Sequence, residues 1–409
     1  MFFVVMFGLF GCQNKSTNPE EEFPPGYQKE ISWPSLADSP WPMEHHDPQS
    51  TGRSNFGGPV AGKVNWFYDS SYIECGISIG VDSSIYFTNN FNSLLRLFSI
   101  SQNGKLKWTY NMPPSKASYT TPLILADGSI VTTTCLDSRL ISLDYLGNVK
   151  WSYDIGVPIL ERGINIDLTG IIYIVDGSRI LHAIDKNGKL LWKLQIENIG
   201  SIPRTSNLIT ISPDSKTLYV PGYTHALYAV DLTERKVKWT FGDQYFAECP
   251  MIDSDGNIYV IGSPESSNKT GRRYITSLNP DGSIRWKQYF SKINDGELIF
   301  HYAGTIDWKG NIYFTSSDSV YSIDYLGKRR WAEKINGFCW GVLISDKNNN
   351  IYIPITKDGI NSQLQCYNCD GNLIWETETL DGYPGESYAL GNKELYFPTY
   401  RSNKIYSIK

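Results

Sequence analysis

Residues 247–289 alternate short apolar runs with polar turns, at the two-residue period of a strand rather than the 3.6-residue period of a helix. Pro250–Ile252 predicts a short first strand, and Asp253-Ser-Asp-Gly256 a turn whose glycine can take positive φ. Ile258–Ile261 predicts a second strand. Tyr274–Leu278 predicts a third after a polar loop at 262–273, and Ile284–Tyr289 a fourth after the turn Asn279-Pro-Asp-Gly282. The template recurs along the chain. Ile172-Tyr173, Leu218-Tyr219, Ile312-Tyr313 and Ile351-Tyr352 fall in second strands, while Leu143-Asp144, Ile184-Asp185, Val230-Asp231 and Ile323-Asp324 close third strands. Asp144, Asp185, Asp231 and Asp324 are expected to cap the backbone amides of the next turn rather than bind metal.

Each fourth strand carries a tryptophan. Trp66, Trp108, Trp151, Trp192, Trp239, Trp286, Trp331 and Trp375 recur at intervals of 42, 43, 41, 47, 47, 45 and 44 residues. Seven of the eight have a glycine four residues upstream, and Arg235 replaces it before Trp239. A four-stranded sheet alone cannot cover both faces, so such units stack face to face and close into a ring. The predicted fold is all-β: an eight-bladed β-propeller of four-stranded antiparallel blades. The tryptophans are expected to be the stacking devices. A fully buried indole removes about 150–250 Å² from water, an upper bound of about 4–6 kcal/mol each. The glycines let a neighbouring blade's ring come close.

The chain ends predict how the ring closes. After Trp375 the sequence offers strands at 386–390, 394–399 and 404–408, one short of a blade, whereas Gly62-Lys-Val-Asn-Trp66 is a fourth strand without one. Residues 62–67 are therefore expected to pair beside 404–408 and complete the last blade.

Of 409 residues, those from 62 to 409 read as one propeller domain, and 27 Tyr, 12 Trp, 35 Gly and 21 Pro suit short strands and tight turns. A net charge of −5 offers no basic stripe for a phosphate backbone, so nucleic acid is not an expected partner. Residues 1–11 are apolar but too short to span a bilayer, and they stop at Cys12. Leu9-Phe10-Gly11-Cys12 resembles the lipobox of bacterial lipoproteins, which implies that residues 1–12 are a signal segment and that Cys12 carries the lipid. No Lys or Arg precedes the apolar run, which departs from that pattern and leaves the true start open. Gln13 in place of aspartate implies the outer membrane of a two-membrane cell. Residues 13–40, polar and acidic at Glu20-Glu21-Glu22, are expected to be a flexible tether, and residues 41–61 an N-terminal segment packed on the propeller.

The repeat resembles the tryptophan-docking repeat of the PQQ-like β-propellers. Leu181-His-Ala-Ile-Asp185 with Gly188 and Trp192 carries the resemblance, as does Leu227-Tyr-Ala-Val-Asp231 with Trp239. Trp41-Pro-Met-Glu-His-His-Asp47 through Thr51-Gly-Arg-Ser54 is similar to the segment before the first blade of many exported members. Eight blades on a lipid anchor are also similar in architecture to the propeller lipoprotein of the outer-membrane-protein assembly machinery. The quinoprotein dehydrogenases of this fold hold PQQ against a pair of adjacent cysteines, with Ca²⁺ on Glu, Asn and Asp. This sequence has no adjacent cysteines, so neither PQQ nor Ca²⁺ is expected.

Other chemistry is sparse. Cys366-Tyr-Asn-Cys369 reads as a packing residue, in the slot held elsewhere by Ala183 and Ala229, plus a turn residue, rather than a redox pair. His182 reads as a packed strand residue and His45-His46 as anchors for the N-terminal segment; no metal site is expected, and no G-x-S-x-G, H-E-x-x-H or P-loop spacing occurs. Propeller geometry places any ligand site at the mouth of the channel, where the inner strands start. Those starts carry Glu74, Glu161, Arg162, Arg204, Glu248, His301, Tyr302, Trp340 and Glu386. Mixed charge with aromatic rings suits a protein, peptide or glycan partner. The expectation is a monomeric, non-catalytic, lipid-anchored scaffold of the bacterial cell envelope, with an enzyme using the Glu and Arg mouth as the alternative.

Overall fold

Eight antiparallel sheets, each built outward from a short inner strand, form the ring. The computed structural model describes residues 23–409 except 71–72, 74, 90–94, 114–117, 119, 135–137, 160–162, 197–207, 223–226, 243–248, 263–271, 293–303, 317 and 340. Blade 5 follows the sequence template: Met251–Ile252, Ile258–Gly262, Arg272–Leu278 and Ile284–Lys292, paired in that order. Its outer hairpin runs further than expected, with Arg272 opposite Lys292. In blade 7 the inner strand is split into Phe338–Cys339 and Ile344–Ser345, and in blade 8 into Tyr383–Pro384 and Ala389–Leu390; in each blade both pieces pair with the same second strand.

The ring closes through its ends. Val64–Asp69 pairs antiparallel with Lys404–Ile408, bringing Phe67 opposite Tyr406 and Tyr68 opposite Ile405. Lys63 and Lys409 extend the ladder by exchanging backbone bonds of 2.9 and 2.8 Å. Without this strand the last sheet would expose an unpaired edge.

Contacts between blades explain the tryptophan frame. The indole Nε1 of Trp108, Trp151, Trp286 and Trp331 donates to the carbonyl of Tyr145, Lys186, Tyr325 and Cys369, each in the next blade's outer turn. The indole ring lies against the glycine two residues further on. A Cβ at Gly188 would stand 2.6 Å from the Trp151 ring, and Gly188 has φ +83°. Arg235, the one departure, still adopts φ 56° and places its guanidinium 5.7 Å from the Trp192 ring. The tryptophans are half-buried rather than enclosed, apart from Trp375, because each indole caps the rim of the next blade; the burial per indole falls below the full-enclosure figure. Each faces a small residue on its own third strand, such as Ala183 for Trp192, Ala229 for Trp239 and Cys366 for Trp375.

Gly188→Ala is expected to cost at least about 1–2 kcal/mol for positive φ alone, and more for the indole it displaces. Gly128 has φ +78° but nothing within 4 Å of an added Cβ, so Gly128→Ala meets only the backbone cost. The difference between their urea midpoints measures the glycine–indole contact.

Two sets of aspartates fix the turns. Asp144 and Asp185 each accept two amides of the outer turn at 2.9 Å, as expected, and Asp231 and Asp324 do the same at 2.8–3.0 Å. A second, inner set was not anticipated. Asp167, Asp253, Asp307 and Asp346 each accept two turn amides and also the hydroxyl of the tyrosine six residues on, for example Tyr259 on Asp253 at 2.8 Å.

Candidate functional site

The N-terminal segment crosses the axis of the ring and bonds to all eight blades. Backbone carbonyls of Trp41, Pro42, Pro48, Gln49, Thr51, Gly52 and Gly57 accept amides of Ile79, Ile124, Ile211, Ile252, Ile306, Ser345 and Lys393 at 2.8–3.0 Å. Blade 3 joins through Asn165, whose Nδ2 donates to Pro48 O at 3.0 Å. Most of these amides belong to the last residue of an inner strand, so this strap seals the end of the channel where the inner strands finish. The expected mouth lies at the other end.

The strap begins earlier than residue 41. Gln28 N bonds Trp308 O at 2.9 Å, Trp33 Nε1 donates to Ile166 O at 3.0 Å, and Leu36 bridges Leu125. Residues 26–40 therefore pack on the ring rather than spanning free, because Trp33, Leu36 and Ala37 find apolar neighbours that the polar average of the stretch concealed. Residues 1–22, with Cys12, lie outside the described residues.

Inside the strap, Trp41 is completely buried, and apolar contact runs from it across the axis to Ile77, Leu208, Cys249, Val342 and Tyr388. Thr121 Oγ1 donates to the Glu44 carboxylate. His45 and His46 play separate parts. His45 is buried with Nε2 3.1 Å from Leu343 O, and burial lowers its pKa. His46 stands edge-on to Trp41 with Nδ1 3.4 Å from Asp47. Burial pushes the Asp47 carboxyl up, but hydrogen bonds from His46 and Thr51 and the nearby Arg53 charge outweigh it and hold the group below its ordinary value.

The expected mouth is described only in part. Glu74, Glu161, Arg162, Arg204, Glu248, His301, Tyr302 and Trp340 lie outside the described residues. Glu386 is described: it lies between the two inner pieces of blade 8, Tyr383–Pro384 and Ala389–Leu390, rather than at the strand start expected at 386, and its carbonyl accepts Val342 N of blade 7 at 3.0 Å. At the matching position of blade 1, the Cys75 thiol sits 3.0–3.1 Å from the amide, hydroxyl and carbonyl of Thr88.

His182 is completely buried, with Nε2 2.9 Å from Asp176 and Nδ1 3.2 Å from the Tyr153 hydroxyl of the neighbouring blade. This Tyr–His–Asp chain joins blades 2 and 3 and has no opening to solvent at the imidazole. Cys75, Cys249, Cys339, Cys366 and Cys369 are free thiols, and burial pushes the Cys339 thiol up to about 12. Among the described residues no three His, Cys, Asp or Glu side chains gather as a metal ion would require. The thiols of the described residues are dispersed over the ring, with no two adjacent in sequence.

The profile of the family described as outer membrane protein assembly factor BamB matches residues 78–288 and 159–348. The chain belongs to this family of PQQ-like propellers. Among solved structures, BamB from Moraxella catarrhalis is similar at 15% identity and TM-score 0.63, covering 85% of this chain and 99% of that one. The C-terminal WD40 domain of Sif2 is similar at 14% identity and TM-score 0.64, covering 86% and 99%. A europium-containing methanol dehydrogenase follows at 13% identity and TM-score 0.59, covering 89% of each. At such identities the likeness is one of fold. No curated protein matches the chain in sequence. Within this BamB-type family the signals missed in the sequence were spatial: Arg53 of the strap meets Trp308 of blade 6, 255 positions later, and only the fold brings them together.

Proposed function

We propose that this BamB-type propeller is a non-catalytic scaffold, lipid-anchored through Cys12 at the outer membrane, that binds protein, peptide or glycan partners. The observation that carries the reading is the family match across residues 78–348, whose description is that of an assembly factor. The strap supports it, because filling one end of the channel leaves the loops at the opposite end as the face for a partner. The ring is complete within one chain, in keeping with a monomer.

Affinity capture of the full chain from membranes of its native cell is expected to retain specific protein partners, and Cys12→Ser to move the chain to the soluble fraction. Trp340→Ala or Glu248→Ala is expected to reduce partner capture while leaving the melting temperature nearly unchanged. Incubation with PQQ and Ca²⁺ should leave the melting temperature where it was; a saturable rise would favour an oxidoreductase instead.

A further inference from the structure

The outer side of the strap carries a small cavity that the scaffold role does not use. It is about 60 Å³ in volume and open to solvent, with Glu30, His46, Asp47, Arg53, Asn55 and Trp308 in its walls. Arg53 is only 4% exposed, and its guanidinium lies 4.5 Å from the centre of the Trp308 ring. Nη1 donates to Gln28 Oε1 and to Ile306 O, both at 3.2 Å and both neutral acceptors. No carboxylate of the described residues comes within 4.0 Å of it.

Asp47 faces the same space. Its carboxylate accepts Thr51 N at 3.0 Å, the Thr51 hydroxyl and the His46 ring, which fix its position. Glu30 accepts a 2.7 Å bond from Asn55 Nδ2 in the wall of the cavity. Opposite charges thus line one cavity without meeting: Arg53 feels Asp47, Asp307 and Asp253 only at a distance, and burial outweighs their attraction, so part of its desolvation penalty remains. The missing complement is a molecule with both charges. A space worth about two waters admits only the smallest such molecule, or the charged head of a larger one whose side chain leaves through the opening.

We propose that this cavity binds a small zwitterion of the α-amino-acid class, with its carboxylate on Arg53 and its ammonium between Asp47 and Glu30. The site is independent of the partner face at the other end of the channel. Calorimetric titration of the full chain with glycine, acetate and methylammonium tests it, alongside NMR of the chain labelled with [¹³C]histidine. Glycine is expected to saturate and to shift the His46 resonance, with acetate and methylammonium about tenfold weaker or more, since each loses one charge-assisted contact. Glu30→Gln, at a position that the fold does not bury, should weaken glycine several-fold and leave the melting temperature unchanged. Binding of acetate or methylammonium as tight as that of glycine overturns the zwitterion, and so does a His46 signal that no probe moves, which would leave only bridging water.

Discussion

Removing residues 404–409 is expected to abolish the cooperative unfolding transition rather than lower its midpoint. Ile405, Tyr406 and Ile408 are at most 5% exposed, and their strand pairs on both sides, with Leu395–Tyr400 and with Val64–Asp69. Deleting large core side chains costs about 2–5 kcal/mol each, so losing three approaches the whole 5–15 kcal/mol that holds a domain together. The deletion also leaves two edge strands bare, one at each end of the chain, which favours aggregation. Urea titration followed by near-ultraviolet circular dichroism should show a broad, non-sigmoidal change. Deleting Lys409 alone removes its two backbone bonds to Lys63 and its 3.7 Å ion pair with Glu394, and should keep the sigmoid, with a loss of about 1–3 kcal/mol.

Trp41→Ala is expected to have the next largest effect, about 3–5 kcal/mol, because it leaves an indole-sized hole at the axis where the strap meets several blades. Trp41→Phe should cost far less. The indole Nε1 has no hydrogen-bond partner among the described residues, so removing it breaks no bond there, and the phenyl ring refills most of the space. Equally large losses for the two variants, measured by urea midpoint, would show that the phenyl ring does not refill the space. The result also separates a structural strap from a loosely attached one: a strap that detaches easily would make both variants nearly silent.

The blade was legible in the sequence because its determinants are local and repeated. Gly188 and Trp192 lie on one hairpin, Asp185 caps its own turn, and eight copies of that frame make the period visible. Ring closure was legible because the two end fragments each lacked what the other had. The strap was not legible, since its contacts are aperiodic and distant: His45 meets Leu343, 298 positions away, and no spacing rule points from one to the other. The earlier start of the strap was hidden for the same reason, as Trp33 and Leu36 have no partners nearby in sequence. The buried Asp–Tyr pairs were within reach, because Asp253 and Tyr259 repeat the six-residue spacing of Asp307 and Tyr313. The full-enclosure burial overstates what the half-buried indoles lose to water, because periodicity reports where an indole sits along a strand and not how much of its edge stays wet.

Closure of the ring by its own N-terminal strand can be tested by oxidative cross-linking of Phe67→Cys with Tyr406→Cys, two residues in register with ring centres 6.0 Å apart. A disulfide between directly opposed strand positions meets the short Cβ distance it needs, whereas a one-residue offset turns one thiol to the other face. Peptide mapping should recover the 67–406 link in high yield and almost none for Phe67→Cys with Ile405→Cys. Equal yields for the two pairs, or no link in either, would mean that the strand at 64–69 lies elsewhere and that the eighth blade is not closed in this way.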